Sequence, residues 1–373
     1  MSTPANAPGL SEQPPRSDVV EASLRAVYSW DYDARVDALR TLYANALDSQ
    51  WNALRDLDWS AGIDRDAFSR SFSVGGFPVQ ATDWWRGLDP QLRWDLARKS
   101  SAFLLSNFLH GEQGALMVAS ELVSAVPALD GKFYAATQTL DEARHVEVFA
   151  AYIRLLDEVV PIMPSLRRLL DATLAHGSWL HKAVGMNIVV EGLALYVFRD
   201  MRNTTEEPLL RRLLTYVSRD EARHTGFGIR YVGRAVARLG DAERGELEDF
   251  AFEAARMLVD SRGGAPMRES LLQVWSGLGL DPAAVLRELA KERDKLAAAS
   301  GRSSGFGPVR GFIIPTLRSV GLFSRRIEGH FREMFERNLP AGSGGRGGGA
   351  IAFDAELPAD LQAWVESGGE DRR

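Results

Sequence analysis

The feature that most constrains this chain is a pentapeptide that occurs twice. Residues 141–145 and residues 220–224 both read Asp-Glu-Ala-Arg-His. A further glutamate precedes each copy, Glu112 before the first and Glu191 before the second, and both lie 30 residues ahead of the glutamate of their pentapeptide. Because the whole chain has only six histidines, chance does not account for two identical copies at identical spacing. The sequence therefore indicates an internal duplication built around acidic and imidazole side chains.

The shared spacing has a geometric meaning in a helical chain. A helix rises about 1.5 Å per residue, so about 15 residues run roughly 22 Å outward and the next 15 or so return over the same distance. A turn is therefore expected halfway, where the first half has Pro127 and the second half has the polar stretch 203–208. Each upstream glutamate is then level with its pentapeptide across an antiparallel helix hairpin. Two such hairpins predict a four-helix bundle.

The rest of the chain also carries a helical pattern. Apolar residues recur every three or four positions, whereas alternating β-branched runs bounded by turns are nearly absent, so the protein is predicted to be all-α. The four long helices are expected at about 90–126, 131–158, 177–202 and 207–239. Two or three earlier helices are expected within 20–57, and later ones at about 241–261, 281–298 and 315–338. Large aromatic residues are expected to anchor the N-terminal helices to the bundle, namely Trp51, Trp59, Trp84, Trp85 and Trp94.

Composition suggests the domain boundaries. Residues 1–18 are rich in Pro, Ser and Ala and are expected to be disordered, while residues 19–340 are expected to form one helical domain with the bundle at 90–240. A glycine-rich linker is expected at 341–350, and the tail at 351–373 either docks back on the body or binds something else. The N-terminus lacks the features of a signal peptide and no uninterrupted apolar run reaches the length of a membrane span, so a cytoplasmic protein is expected.

Six side chains form a candidate set of metal ligands. The Glu-x-x-His spacing places a carboxylate and an imidazole on one helix face, about a turn apart. Four glutamates that converge in a bundle core are strongly destabilising unless their charge is compensated, and two divalent ions supply that compensation. The chain has no cysteine, which excludes thiolate zinc sites and iron–sulfur clusters, and mixed carboxylate and imidazole ligation suits iron or manganese. The expected ligands are Glu112, Glu142, His145, Glu191, Glu221 and His224.

An aspartate precedes each Glu-x-x-His pair. A metal-bound imidazole needs an acceptor for its second N–H, and Asp141 and Asp220 are the candidates. The alternative for each is a surface ion pair with a nearby arginine such as Arg144 or Arg223. For the whole pattern, the alternatives are a solvated salt-bridge face and a duplicated site that has lost its metal.

This ligand set resembles that of the ferritin-like di-iron oxygenases and oxidases. These include bacterial multicomponent monooxygenase hydroxylases, acyl-carrier-protein desaturases, ribonucleotide reductase small subunits and p-aminobenzoate N-oxygenases. The likeness covers about residues 90–240 and implies a ferritin-like four-helix bundle with a dinuclear metal site, flanked by N- and C-terminal helices. The doubled pentapeptide is most similar to the monooxygenase hydroxylase pattern, which implies that four residues surround and support the ligands, namely Asp141, Arg144, Asp220 and Arg223.

The chain departs from each of these relatives. The radical tyrosine of the reductase subunits corresponds to Phe149 here, which disfavours radical storage for nucleotide reduction. The active-site threonine of desaturases and monooxygenases corresponds to Ala194 or Leu195, so proton delivery in their manner is not supported. The additional histidine ligand of the N-oxygenases corresponds to Val217, so the sequence does not support a seventh protein ligand.

Apolar side chains lie one turn on either side of the two upstream glutamates. Such surroundings predict a water-poor pocket for an apolar substrate, because a strong oxidant must react with substrate rather than with water. Plain packing of the bundle core is the alternative. The candidate pocket residues are Phe108, Ala115, Leu116, Ile188, Ala194, Leu195 and Phe198.

The predicted function is that of a non-heme di-iron oxygenase or oxidase. Two iron ions and O2 would oxidise a small or apolar organic substrate by hydroxylation, desaturation or N-oxygenation. No flavin or nicotinamide motif is found, so a separate reductase or ferredoxin is expected as electron donor, and a homodimer is one option for assembly. The alternatives are a metal-handling or ferroxidase protein without organic substrate, and a manganese or mixed manganese/iron oxidase. A net charge of −6 argues against a nucleic-acid partner, and no membrane partner is expected.

Overall fold

The computed structural model describes residues 22, 24–33, 35–72, 79–262, 265–300, 307–338, 353, 356–357 and 359–367. Within these ranges the regular secondary structure is helical and contains no strand. The predicted disordered N-terminus and glycine-rich linker lie outside the described residues. The helices are α1 (Asp37–Asp48), α2 (Arg65–Ser71), α3 (Asp83–Gly87), α4 (Pro90–Ala125), α5 (Leu129–Leu156), α6 (Pro164–Ala175), α7 (Trp179–Ala183), α8 (Glu191–Thr204), α9 (Pro208–Phe227), α10 (Gly233–Val236), α11 (Asp241–Arg262), α12 (Ala265–Ser276), α13 (Pro282–Lys291), α14 (Arg293–Ser300), α15 (Ile314–Ser319), α16 (Arg325–Asn338) and α17 (Ala359–Glu366).

Segments of other helical types connect or extend these helices. Short 3-10 turns occur at Trp59–Ala61 and Val79–Ala81. Wider π-helical segments occur at Val184–Val190, between α7 and α8, at Gly228–Val232, between α9 and α10, and at Val309–Ile313, before α15. A π segment carries more residues per turn than an α-helix and changes which side chains share a face. Two of the four long helices predicted from the sequence therefore contain a π segment that the periodicity did not reveal.

The bundle consists of two antiparallel hairpins, α4 with α5 and α8 with α9, and α5 packs against α9. Asp89 caps the start of α4 through the backbone amides of Gln91 and Leu92. The first hairpin turns at Pro127, between α4 and α5. The second turns just before Pro208, where the Glu207 side chain accepts hydrogen bonds from the first turn of α9. Both turns lie where the spacing of the repeat predicts them, so the four-helix core is confirmed.

The N-terminal part is less helical than predicted. Within the described part of 20–57, α1 is the one helix, and the segment before it runs along the bundle. Val27 donates its backbone N–H to the carbonyl of Ser124 at 2.8 Å, and the Asp130 side chain accepts from the backbone of Val36 at 2.9 Å. Because the bundle satisfies these backbone groups, the segment has no need to form a helix of its own.

The five tryptophans of this region contact the hydrophobic core, as expected. Trp51, Trp85 and Trp94 are buried, and Trp59 and Trp84 are partly buried against them. The Trp59 indole donates to the backbone carbonyl of Ala53 at 2.7 Å, so its polar edge is satisfied.

The C-terminal helices are also more broken than predicted. Helix α12 has no counterpart among the predicted helices, and the helix predicted at 281–298 is divided into α13 and α14. The helix predicted at 315–338 is divided into α15 and α16 by a turn in which Gly321 has φ +80°, a conformation that favours glycine. The Glu248 side chain accepts from the amide of Ser324 at 2.9 Å and from its hydroxyl at 2.8 Å, which fixes the start of α16.

The described part of the tail docks on the body. Phe353 is buried and stacks on Phe335 with ring centroids 5.8 Å apart. Helix α17 packs on α9, and its Trp364 joins a small apolar cluster with Leu195 and Phe312. The sequence leaves open whether the tail docks on the body or binds something else, and the contacts of these residues correspond to docking.

One helical stretch among the described residues, Trp179–Thr204, is long and apolar enough to cross a membrane. Of its most apolar 18 residues, 83% are buried inside the body of the protein. The stretch consists of α7, the π segment Val184–Val190 and α8, the first helix of the second hairpin, and burial against neighbouring helices accounts for its apolar composition.

Candidate metal centre

The six predicted ligands meet in the middle of the bundle. They come from all four bundle helices, and none is more than 5% exposed. Glu191 is the first residue of α8 and directly follows a π segment, while the other five lie within their α-helices. The side chains are Glu112 from α4, Glu142 and His145 from α5, Glu191 from α8, and Glu221 and His224 from α9.

The ligand atoms form two adjacent groups. In the first, Glu112, Glu142, His145 and Glu221 each offer one atom within 4.8 Å of the others. His145 Nδ1 lies 3.1 Å from Glu112 Oε2, 3.1 Å from Glu221 Oε1 and 3.4 Å from Glu142 Oε2. His145 Nδ1 is thus surrounded by three carboxylates. One imidazole nitrogen and three carboxylates together form a donor set that suits iron or manganese.

The second group consists of Glu142, Glu191 and His224. His224 Nδ1 lies 3.0 Å from Glu142 Oε1 and 3.6 Å from Glu221 Oε2. Glu142 belongs to both groups and Glu221 approaches both imidazoles, so these two carboxylates lie between the two positions. The two imidazole rings are 5.7 Å apart. The arrangement accommodates two ions that share carboxylate ligands.

The hydrogen bonding of the cluster fits a pair of cations. Glu142 Oε2, both carboxylate oxygens of Glu221 and His224 Nδ1 are buried and find no directed hydrogen bond among the described residues. A buried polar atom without a hydrogen-bond partner destabilises the fold. Bound metal ions would provide the missing partners of these four atoms. The donor chemistry and the unpaired atoms therefore both fit two divalent ions.

The pKa shifts in the metal-free cluster also fit bound cations. Burial and the neighbouring charge of Glu221 raise the pKa of Glu112 well above its usual value, and burial and Glu142 do the same to the pKa of Glu191. Burial opposes protonation of His145, yet hydrogen bonds to Asp220 and Glu112 raise its pKa well above the usual value. In the metal-free cluster these three groups therefore favour their protonated forms, whereas, despite burial, the two histidines hold the pKa of Glu142 below its usual value. Two divalent ions would take the place of the protons.

The two aspartates bind the imidazoles in a crossed manner. His145 Nε2 lies 3.2 Å from Asp220 Oδ2, and His224 Nε2 lies 3.3 Å from Asp141 Oδ2. Each aspartate therefore contacts the histidine of the other hairpin rather than the one that follows it in sequence. Because Nδ1 of each ring faces the glutamates, the crossed bonds fix the orientation that leaves Nδ1 free for metal.

The arginines of the pentapeptides pair with the same aspartates. Arg144 contacts Asp141 and lies 3.3 Å from Asp220, while Arg223 contacts Asp220 and lies 3.7 Å from Asp141. All four side chains are buried. The ion pairs considered as an alternative do form, but they lie inside the protein and coexist with the imidazole contacts. Burial opposes ionisation of Asp220, and the charge of Arg223 and the bond to His145 nevertheless hold its pKa below the usual value.

Two residues before α2 extend this network. Trp51 Nε1 donates to Asp220 Oδ2 at 2.7 Å, and the Arg144 guanidinium lies 5.2 Å from the Trp51 ring centre. Gln50 accepts from Arg144 and lies 3.4 Å from Asp141. The sequence predicted Trp51 only as an anchor and did not identify Gln50. Their contacts span at least 90 residues in sequence, so no local pattern could have identified them.

Two amides hold Glu191, and sequence reasoning missed both. Gln138 donates to Glu191 Oε1 at 2.7 Å, and Asn187 donates to Glu191 Oε2 at 2.9 Å and to Gln138 Oε1 at 3.1 Å. A signal did exist, because Gln138 lies four residues before Glu142 and Asn187 four residues before Glu191. A buried polar residue one turn before a ligand shares the ligand's face.

A cavity of about 50 Å³ lies beside the cluster. Its wall includes the carboxylates Glu112, Glu191 and Glu221, and of the seven predicted pocket residues it includes Phe108, Ala115 and Ala194. The outer wall comes from the start of α6 and from α11 and α12, which the sequence did not connect with the site. These outer residues are Met163, Leu166, Leu258 and Met267.

The other four predicted pocket residues do not line the cavity. Leu116 is half-exposed, and Leu195 packs against Phe312 and Trp364. Phe198 packs against Phe108, with ring centroids 4.6 Å apart. Ile188 lies inside a π segment, and the cavity wall is formed there by Val190 and Leu193 instead. The π segment explains the shift, because the α-helical spacing used for the prediction does not hold through it.

The positions at which the chain departs from its relatives lie in apolar surroundings. Phe149 packs against Phe198 at 5.3 Å between ring centroids, and Val217 is fully buried in the core. The remaining histidines lie outside the two ligand groups: His110 contacts the carbonyl of Val160, His176 and His181 stack on each other, and His330 packs on Phe252.

Several known proteins are similar to the chain. Residues 32–313 match the family described as p-aminobenzoate N-oxygenase AurF. Among solved structures, an R2-like ligand-binding oxidase with an aerobically reconstituted Mn/Fe cofactor shares 19% identity, with a TM-score of 0.42 and coverage of 77% of this chain and 93% of the other. A variant of that oxidase with the same type of cofactor shares 19% identity, with a TM-score of 0.43 and coverage of 77% and 94%. No curated protein matches significantly.

The family match spans α1 to the π segment before α15, and so includes all four bundle helices and both ligand groups. The buried glutamates and histidines supply the donor set that an O2-activating pair of iron ions needs, and they also suit manganese. The chain therefore belongs to the p-aminobenzoate N-oxygenase AurF family and is an O2-activating non-heme di-iron oxidoreductase.

Proposed function

We propose that this protein is a monooxygenase that transfers an oxygen atom to the nitrogen of a small arylamine. The observation that carries the proposal is the direct contact between ligands and cavity, because Glu112, Glu191 and Glu221 belong to both. A substrate in the cavity would lie next to the metal positions with no intervening side chain. The family match supports nitrogen as the atom oxidised.

The proposed ligands divide into two positions with shared carboxylates. Glu112 and His145 belong to the first position, Glu191 and His224 to the second, and Glu142 and Glu221 lie between them. The bound iron ions would supply the activation of O2. The protein side chains position the ligands and the substrate, and they exclude water.

Each of the supporting residues has a definable task. The crossed aspartates Asp141 and Asp220 accept the Nε2 protons of the imidazoles and hold Nδ1 toward the ions. Gln138 and Asn187 orient the Glu191 carboxylate, whose oxygens keep lone pairs for metal while they accept these bonds. Arg144 and Arg223, which also contact the aspartates, balance their charge.

The overall reaction requires external electrons. Conversion of an amine to a hydroxylamine takes one oxygen atom from O2, and the other leaves as water with two protons and two electrons. We infer that a separate reductase or ferredoxin delivers these electrons, as the sequence predicted. We further propose a cytoplasmic location, a homodimer, and a single ferritin-like domain at 19–340 that a linker at 341–350 joins to the tail.

The test is a single-turnover experiment with labelled oxygen. Protein reconstituted anaerobically with ferrous iron is mixed with isotopically labelled O2 and a panel that contains arylamines, fatty acyl thioesters and unsubstituted aromatics. Labelled hydroxylamine or more highly oxidised nitrogen products are expected, and Glu142→Ala should reduce them to background. Glu147→Gln is the matched control, since Glu147 is an exposed acid on the same helix.

The competing functions predict other outcomes. Labelled carbon-hydroxylated or desaturated products without nitrogen oxidation would contradict the proposal and leave a di-iron oxygenase of another specificity. Repeated oxidation of added ferrous iron with no organic product would identify a ferroxidase. Activity that requires manganese in one position would keep the proposed ligands and change the metal.

A further inference from the structure

We propose that the cavity selects uncharged amines and discriminates against amines that carry a free carboxylate. The inference rests on the proposed N-oxygenation and names the class of substrate. It concerns the part of the substrate away from the reacting nitrogen, which the outer wall of the cavity must accommodate.

Among the described residues of the cavity wall, the charged groups are acidic. Among the described residues that line it, Glu112, Glu191 and Glu221 carry charge, and there is no lysine, arginine or histidine. Four ionised glutamates opposite two ferrous ions would leave the centre neutral, so the described part of the wall would offer a substrate anion no net positive charge. A carboxylate that entered would lose its water without gaining a counter-ion, which is costly.

The buried arginines of the network cannot supply that counter-ion. Arg144 and Arg223 are bound to Asp141 and Asp220, which contact the Nε2 side of the imidazoles. The cavity lies against the glutamates and includes neither the aspartates nor the arginines in its wall. The ligand cluster therefore separates these two guanidinium groups from a substrate in the cavity.

The neutral polar groups on the wall are also limited. Asn107 is the uncharged polar side chain among the described lining residues. Its Oδ1 accepts from the backbone amide of Met163 at 2.9 Å, and its Nδ2 donates to the carbonyl of Phe103 at 3.0 Å. One N–H of the amide is left, which is enough for a single carbonyl of an ester or amide but not for an ionised carboxylate.

The outer wall favours an apolar or neutral substituent. Its residues Met163, Leu166, Leu258 and Met267 are apolar, and so is Leu104 of α4, which also lines the cavity. Methionine side chains are flexible and adapt to different apolar shapes. A protonated alkylamine would gain no counter-ion from a neutral centre, and its nitrogen has no lone pair to accept oxygen. An arylamine is neutral near pH 7, so its nitrogen keeps the lone pair, and its ring suits the apolar wall.

Binding measurements test the inference directly. Protein loaded anaerobically with ferrous iron is titrated by calorimetry, with O2 excluded, with p-aminobenzoate, its methyl ester and p-aminobenzamide at pH 7.5. The ester and the amide are expected to bind at least about tenfold more tightly than the acid. Equal or tighter binding of p-aminobenzoate by the wild-type protein would overturn the inference.

A pair of variants at one lining position supplies the control. Leu104 is half-buried on the wall and has no polar group to lose, so Leu104→Arg adds a cation and Leu104→Gln adds a neutral side chain of comparable polarity. The arginine variant should bind p-aminobenzoate about tenfold more tightly than the glutamine variant, because a guanidinium pairs well with a carboxylate. An unchanged preference in both variants would contradict a selection by charge.

The outcomes separate this inference from the proposed function. If p-aminobenzoate binds as well as the ester and both are N-oxygenated, the inference fails and the function stands. If neutral amines bind selectively but are recovered unoxidised after single turnover, the function fails and the charge selectivity stands. If no arylamine binds, both are overturned.

Discussion

Replacement of Asp220 by asparagine should weaken the metal position on the opposite hairpin. Asp220 Oδ2 lies 3.2 Å from His145 Nε2 and 2.7 Å from Trp51 Nε1, and the same carboxylate pairs with Arg144 and Arg223. Asparagine keeps the shape and one acceptor oxygen but removes the negative charge. The imidazole of His145 then becomes a weaker ligand and is held less firmly.

The expected loss of stability follows from the charged side chains that remain around position 220. In Asp220→Asn the two arginines share the carboxylate of Asp141, which lies 3.7 Å from Arg223. Removal of one partner from a buried ion pair costs about 3–5 kcal/mol, and we expect about 3 kcal/mol because asparagine still accepts one hydrogen bond. Loss of the residue that orients a metal-bound histidine lowers metal affinity by about 10–100-fold.

Two measurements with a matched control separate these effects. Urea unfolding of the metal-free protein gives the change in stability, and anaerobic titration with ferrous iron gives the affinity. Asp130→Asn is the control, because Asp130 is equally buried and accepts backbone hydrogen bonds from the segment that leads into α1 but lies outside the ligand network. The Asp130→Asn variant should be less stable than the wild-type protein but should bind iron with the same affinity.

A double-mutant cycle tests whether Asp220 supports the histidine of the opposite hairpin. The effect of Asp220→Asn on iron affinity should disappear in a His145→Ala background and persist in a His224→Ala background. The reverse result would show that Asp220 supports the histidine of its own helix. Equal iron affinity in Asp220→Asn and wild-type protein would refute the positioning argument altogether.

Three further outcomes are expected. Wild-type protein should bind about two ferrous ions per chain and Glu142→Ala at most one, because Glu142 belongs to both ligand groups; metal analysis after anaerobic reconstitution decides this. Folding raises the pKa values of Glu112 and Glu191, so in the metal-free protein these two groups hold protons between pH 7 and 5 that they release in the unfolded chain. Their contribution to stability should therefore rise as pH falls from 7 toward 5, and parallel melting profiles with and without iron would contradict this. Gly192→Ala should destabilise the protein by about 1–3 kcal/mol in urea unfolding, because its Cβ would lie 2.5 Å from Phe312.

The repeat by itself determines the main features of the bundle. An identical pentapeptide and an identical spacing define two helix hairpins, and the helix rise places their turns at Pro127 and just before Pro208. The six candidate ligands follow from the same pattern, and the folded chain brings all six together. The predictions of the two hairpins and of the proximity of these six side chains are confirmed, because helix geometry converts sequence separation directly into distance; their role as ligands remains a prediction.

The flanking helices are predicted less well, because their boundaries depend on long-range contacts. The segment before α1 stays extended since Asp130, about 95 residues away, satisfies its backbone amides. The break before α16 depends on a left-handed glycine, Gly321, and on the Glu248 side chain from α11. Neither partner is visible in the local periodicity.

Only the tertiary structure decided which side chains serve which ligand. The sequence places Asp141 and Asp220 next to their own histidines, but the packing of two hairpins face to face turns each Nε2 toward the opposite helix and crosses the pairs. The π segment before Glu191 likewise changes the register, so that Val190 and Leu193 line the cavity and Ile188 does not. Sequence separation fixes distances along one helix, whereas the rotation of helices about their axes is fixed by contacts between them.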